Sequence, residues 1–320
     1  MEPVIISLFG GETTLYGILA VITVLLTCAA AEVSFARRGL LRGFGLKASV
    51  FGALVGFIFG RGLYCALQAE RLFYDPMGEF MGLGPFFDLG RGSVNVIGVL
   101  AGCFLALWIA SKAGGVSLGK VLDVAALPGL CCFAVFRFIE PFSGQGYGPM
   151  LRSRFLSRVP FGIPGWDFWS LSVCFIEGVL LAVLALILWR AHFKRAGSLF
   201  LLAAVWTAVS QIIPESLRED DTLRIFVFAR VDQIGSVLIW LLCGICLWFT
   251  GLKRGISRGV VIREAAINLL GVMILIAAEF TLDKTEWSEY LIYGVMTATL
   301  IVIGLTLTGA VLREDRAVSR

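Results

Sequence analysis

About nine runs of apolar residues, each near the roughly 20 residues a helix needs to cross a bilayer, alternate with short polar segments along this chain. They cover residues 15–35, 48–67, 93–110, 121–139, 168–188, 196–213, 234–249, 265–280 and 291–311. Hydrocarbon offers no water to an open backbone, so each run is expected to close its own hydrogen bonds as an α-helix. The expected fold is all-α, a polytopic membrane helix bundle.

The polar segments give that bundle a direction. Alternate connections carry Arg37, Arg38, Arg42 and Lys47, then Lys112 and Lys120, then Arg190, Lys194 and Arg195, then Lys253, Arg254, Arg258 and Arg263. The tail adds Arg313, Arg316 and Arg320. Short basic segments stay in the cytoplasm, whereas the opposite connections, 70–92 and 140–167, are longer and mixed in sign. No base precedes Arg37, so the N-terminus is expected outside and the C-terminus inside. No cleavable signal peptide is expected, because a basic leader is absent and the first apolar run ends at Arg37 and Arg38. No internal repeat emerges, which argues against the inverted-repeat design of many transporters. The last two runs follow the basic loop 253–263 and read as an appended pair, dividing the chain into 1–251 and 252–320.

Composition supports the membrane reading. Hydrophobic residues make up 58% and charged residues 16% of the 320, and the mean hydropathy of +0.89 exceeds that of an ordinary soluble domain. The net charge of +4 is spread along the chain rather than clustered, so no nucleic-acid partner is expected. All 8 cysteines lie within apolar stretches and read as small core residues. Cys243-x-x-Cys246 has metal spacing, but it falls inside a run and the chain holds a single histidine, His192.

Polar residues at membrane depth are costly unless they face protein or water, which makes them candidates for function. Glu32, Lys47 and Asp123 lie near the inner face, where their charged ends can reach the interface. Arg137, Glu140, Glu177, Gln211 and Glu215 fall deeper or at outer ends. Arg137 and Glu140 are three residues apart and share one face if their helix continues that far. The following segment, 142–148, is too glycine-rich for a stable helix and reads as an outer or re-entrant loop.

These residues resemble the prolipoprotein diacylglyceryl transferase family, bacterial enzymes that move diacylglycerol from phosphatidylglycerol to a lipobox cysteine. Residues 120–126, Lys-Val-Leu-Asp-Val-Ala-Ala, resemble the segment before the family signature. Within the signature region, Arg137, Phe142, Gly144, Tyr147 and Gly148 echo its arginine, aromatic and glycine positions, while Glu140, Ser143 and Gln145 stand in for its asparagines and acid. Further matches follow in the family's order: Tyr16-Gly17 in the first run, Asn95 where the family has histidine, Glu177-Gly178, and Gln211 through Glu215 and Arg218 to Asp221, with Gln211 replacing an arginine. Gln233 matches a later glutamine. The resemblance covers the first seven runs.

It implies a membrane protein of the bacterial cytoplasmic membrane that binds phosphatidylglycerol or another anionic phospholipid at the outer leaflet. It also implies transfer of a lipid-derived group to a lipoprotein precursor or other acceptor, with no cofactor. On this reading Glu140, Asn95 and Glu215 occupy catalytic positions, and Arg137, Tyr16, Ser143, Gly144, Gln145, Tyr147, Gln211 and Arg218 substrate-binding ones. Asn95 takes no proton, Gln211 removes a cation and Glu140 adds an acid beside Arg137. These substitutions open a second reading, a non-catalytic scaffold that binds lipid or a protein partner.

Overall fold

The computed structural model describes residues 5–8, 11–40, 42–75, 77–88, 94–165, 167–220, 230–284 and 288–318. Two of the positions carrying the resemblance to the transferase family or the apolar pattern, Ser93 and Asp221, lie outside them. The apolar runs form α1 (Leu15–Arg37), α2 (Phe44–Leu67), α5 (Val96–Ala113), α6 (Leu118–Ile139), α7 (Val173–Trp189), α8 (Ser198–Leu217), α9 (Val231–Lys253), α10 (Arg258–Lys284) and α11 (Glu289–Val318). Two short helices, α3 (Ala69–Phe73) and α4 (Gly84–Phe87), lie between α2 and α5. Among the described residues, eight helices are long and apolar enough to cross a bilayer, and α7 is a shorter apolar helix. The all-α membrane bundle is borne out.

Five short strands complete the described chain. β1 (Ile5–Leu8) and β2 (Gly11–Thr14) form an antiparallel hairpin. β3 (Tyr147–Met150), β4 (Gly162–Pro164) and β5 (Trp169–Ser172) form an antiparallel sheet in the order β3-β5-β4. Only the last two residues of the glycine-rich segment expected to be a loop, Tyr147 and Gly148, belong to a paired strand.

The chain divides into two compact units, residues 26–125 and residues 1–25 with 126–320. In the first, α2 and α5 meet backbone to backbone. A Cβ on Gly98 would lie 2.6 Å from the Phe59 carbonyl oxygen and 2.7 Å from Gly60 Cα, and one on Gly102 would lie 2.6 Å from the Val55 carbonyl oxygen. Glycines four apart thus let two helices pack by dispersion where no hydrophobic drive separates helix from lipid. Glu32 departs from the expected reach into the interface. Its two oxygens accept the backbone N–H groups of Gly43 (2.6 Å) and Leu46 (2.8 Å), satisfying donors that the start of α2 leaves unpaired. Arg61 is buried and donates to the carbonyls of Pro85 (2.7 Å), Phe86 (2.9 Å) and Asp88 (2.8 Å), anchoring the segment around α4.

In the second unit, Leu130 and Ala134 of α6 pack with Leu181, Ala185 and Leu188 of α7 and with Leu199, Leu202 and Ala203 of α8. A larger core joins Val205, Ala208 and Ile212 of α8, Trp240 and Leu247 of α9, and Leu275 of α10 to Met296, Ile303 and Leu307 of α11. The last two helices thus share a core with α8 and α9. A buried polar corner adds to this: Glu314 of α11 pairs with Arg195 (3.1 Å) and Arg254 (3.2 Å), and Asp315 accepts the amides of Lys194 and Arg195. His192, in the same α7–α8 connection, lies with its ring nitrogen 3.0 Å from the Arg190 carbonyl oxygen.

Candidate functional site

Helix α6 ends at Ile139, and Glu140–Ser143 continue as a single 3-10 turn. Pro141 has no amide to extend the α-helical ladder, which gives this end a physical cause. The expected helical continuation through Glu140 is therefore replaced by a tighter turn, yet the pair forms: Arg137 Nη1 donates to Glu140 Oε2 at 2.9 Å. The chain then reverses through Gly144 (φ +80) and Gly146 (φ +83). Positive φ suits glycine, and a Cβ on Gly146 would lie 2.7 Å from that of Cys174. This close approach lets the Gly146 amide reach Asp220 Oδ2 at 2.7 Å, while its carbonyl accepts the Cys174 amide at 3.1 Å.

Arg137, only 5% exposed, is surrounded. Besides Glu140, its Nη2 donates to Glu215 Oε1 (3.0 Å) and Gln211 Oε1 (3.1 Å), and its Nε lies 3.1 Å from Glu177 Oε2. Arg218, just past α8, forms a second node. It pairs with Glu140, donates to Asp220 Oδ2 (2.7 Å), and lies 3.6 Å from both Glu177 and Glu215. Arg230, before α9, holds Asp220 Oδ1 at 3.2 Å and donates to the Arg218 carbonyl. α6, α7, α8 and the residue before α9 thus each deliver an ionisable group to one place.

The electrostatic balance follows from these contacts. Three guanidiniums, Arg137, Arg218 and Arg230, face four carboxylates, Glu140, Glu177, Glu215 and Asp220. The ion pairs thus hold one more carboxyl group than guanidiniums. Glu177 and Glu215 are fully buried, and both Glu177 oxygens and Gln211 Nε2 have no hydrogen-bond partner among the described residues. Buried ion pairs cost desolvation that only good geometry and added hydrogen bonds return. An incoming phosphate would have to displace a carboxylate from its arginine. Asp220 lies beyond the spanning helices. Burial alone would raise its pKa, but the hydrogen bonds and charge of Arg218, the Gly146 amide and Arg230 outweigh burial and hold it below the usual carboxylate range.

The structure brings Arg137, Glu140, Gln211, Glu215 and Arg218 together, as the family resemblance implied. Tyr16 lies within electrostatic reach of Glu140 and Arg137. Ser143 Oγ donates to the Glu140 carbonyl (2.7 Å), Gly144 closes the 3-10 turn, and the half-buried Gln145 leads into β3, where the Tyr147 carbonyl accepts the Glu219 amide (3.0 Å). Asn95 belongs to the other compact unit and caps α5, its Oδ1 accepting the Gly98 amide at 3.2 Å.

Arg137 was expected to have one acidic neighbour and has three. Glu177 was visible as an acid inside an apolar run but was not assigned a place in the site. Asp220 and Arg230 carried no expectation from the sequence. Asp220 sits one residue before the aspartate that the motif singles out, and motif spacing does not resolve two adjacent acids. In the described residues no group of three or more histidine, cysteine or acidic side chains is arranged to hold a metal ion.

A family model described as prolipoprotein diacylglyceryl transferase matches residues 3–250. The phosphatidylglycerol–prolipoprotein diacylglyceryl transferase of Shouchella clausii is 24% identical over 246 residues, 73% of this chain and 84% of the relative. The enzyme of the same description from Enterococcus faecalis is 23% identical over 250 residues, 75% of this chain and 87% of its own. That from Bacillus velezensis is 26% identical over 223 residues, covering 65% and 79%. The matched region stops before α10 and α11.

Proposed function

The chain belongs to the prolipoprotein diacylglyceryl transferase family, and from that premise we propose that it is a divergent, phospholipid-binding member. On this reading it lies in the bacterial cytoplasmic membrane, N-terminus outside and C-terminus inside. It takes an anionic phospholipid such as phosphatidylglycerol at the outer leaflet and passes a lipid-derived group to a lipoprotein precursor or another acceptor. The observation that carries the reading is the convergence of Arg137 and Arg218 beside the Gly144–Gly148 segment. Arginine suits a phosphate because its planar fork offers paired donors and keeps its charge. Residues 252–320 are read as an appended two-helix segment, since the family match ends at residue 250.

One observation favours a second reading, a non-catalytic lipid- or protein-binding scaffold. Glu140 and Glu215, the acids in catalytic positions, both face arginine. A carboxylate held in an ion pair is a poor proton acceptor, because protonating it strands its cation. Glu140 serves as a base only after phosphate has taken its place on Arg137 and Arg218.

Native mass spectrometry of wild type and Glu140→Gln with phosphatidylglycerol tests the binding. Removing the Glu140 charge leaves three carboxylates for three guanidiniums, so retention of phosphatidylglycerol should increase while that of phosphatidylcholine should not. Equal retention of both lipids by both proteins would refute a site selective for net-anionic phospholipid. Expression in cells depleted of their own diacylglyceryl transferase then separates the readings. The transferase reading expects lipoprotein maturation to recover, and the scaffold reading expects none.

A further inference from the structure

The helices outside the family match reach back into the site. Glu279, near the end of α10, accepts hydrogen bonds from Ser216 Oγ and from Gln233 Nε2, the latter at 2.8 Å. Gln233 is buried, and its Nε2 also donates to Ser216 Oγ at 2.9 Å, while its Oε1 accepts the backbone amide of Arg230 at 3.0 Å. A glutamine side chain held at both ends presents its carbonyl in one orientation only. That carbonyl fixes Arg230, the residue just before α9, whose side chain binds Asp220 Oδ1 and the Arg218 carbonyl. Asp220 in turn holds Arg218 and the Gly146 amide.

An unbroken series of polar contacts therefore runs from Glu279 through Gln233, Arg230 and Asp220 to Arg218 and the glycine-rich turn. We propose that Glu279 is a positioning residue, with which α10 sets the orientation of Gln233 and through it the Arg230–Asp220–Arg218 side of the site. The proposal rests on the reading of that cluster as the phospholipid site, but its geometry does not depend on what the cluster binds.

Without the Glu279 acceptor, the Gln233 Nε2 keeps only Ser216 Oγ at 2.9 Å, a hydroxyl that can donate as well as accept, and the Ile212 carbonyl at 3.4 Å, so the amide turns more readily and exchanges its oxygen and nitrogen ends. In the turned state an N–H group faces the Arg230 amide, and two donors cannot bond. Arg230 then loses its cap and Asp220 its second cation. Glutamine at 279 keeps an acceptor oxygen at the same reach, so it should restore what alanine removes. This pattern separates positioning from bulk packing, because a side chain that only filled space would be replaced as well by leucine.

The experiment is hydrogen–deuterium exchange on the full-length protein in detergent micelles, comparing wild type with Glu279→Gln, Glu279→Ala and Glu279→Leu. Peptides covering 144–150 and 228–236 report the Gly146 and Arg230 amides. Glu279→Ala and Glu279→Leu should each speed exchange in both peptides at least tenfold, with Glu279→Gln close to wild type and peptides within α2 and α5 unchanged. The proposal is overturned if Glu279→Leu matches wild type, if Glu279→Gln exchanges as fast as alanine, or if exchange rises uniformly along the chain. Should Glu279→Ala fail to fold, the comparison of Glu279→Gln with Glu279→Leu carries the test alone. Lipid retention is measured on the same samples. Wild type that binds no phosphatidylglycerol but shows this exchange pattern would refute the lipid reading and leave the positioning role intact.

Discussion

Replacing Arg137 with methionine is the most informative single perturbation of this protein. The guanidinium is buried and reaches Glu140 at 2.9 Å, Glu215 at 3.0 Å and Glu177 at 3.1 Å. With it, three arginines face the four carboxyl groups they pair with; without it, two face four. Methionine fills much of the volume, so the loss is chiefly electrostatic. Removing one partner of a buried ion pair costs about 3–5 kcal/mol because the other charge is left uncompensated. At 1.4 kcal/mol per factor of ten, that is roughly two to three and a half orders of magnitude in the ratio of folded to unfolded protein. A second substitution, Glu177→Leu, removes the carboxyl group opposite Arg137 Nε and leaves two against three. The double variant should therefore recover more than half of the loss that Arg137→Met causes. The assay is reversible unfolding in mixed micelles of rising SDS content, followed by helical circular dichroism. Additive losses, or an Arg137→Met protein within about 1 kcal/mol of wild type, would show that the cluster is solvated and that the balance of charge does not govern it.

Three further outcomes follow from other parts of the molecule. In a background with every native cysteine replaced, a cysteine at Ser153 should react with an impermeant maleimide on intact cells, and one at Ser257 only after lysis; labelling in the reverse order would invert the bundle. Gly98→Val, whose Cβ would meet the α2 backbone at 2.6–2.7 Å, should destabilise by about 1–3 kcal/mol. Gly62→Ala, with nothing within 4 Å of its Cβ, should be silent in the same unfolding assay. Asp220 has its folded pKa below its unfolded one, so its contribution is complete above about pH 4 and is lost as pH falls through the folded value. Asp220→Asn should melt lower than wild type at pH 6, with the two melting temperatures converging as the pH falls below the ordinary aspartate range; a constant gap would rule out the linkage.

Sequence alone established what lipid imposes on a chain of this kind. A run of apolar residues long enough to cross hydrocarbon has to be a helix, so the spans and their order were legible before any packing was known. Local spacing was legible too. Three residues separate Arg137 from Glu140, and the pair forms although Pro141 tightens the turn between them. The signature residues Gln211, Glu215 and Arg218 were found by kinship, through their order along the chain. Only the tertiary structure decided which faces meet. Glu177 joins Arg137 from 40 positions away, and Glu279 joins Gln233 from 46. Neither contact follows from periodicity, because in a bilayer the lipid-facing and protein-facing sides of a helix are equally apolar. An acid within such a run shows only that some partner exists. The partner is fixed by the close approach of small residues and the ends of helices, where Gly146 brings an amide to Asp220 and Pro141 turns Glu140 between two arginines.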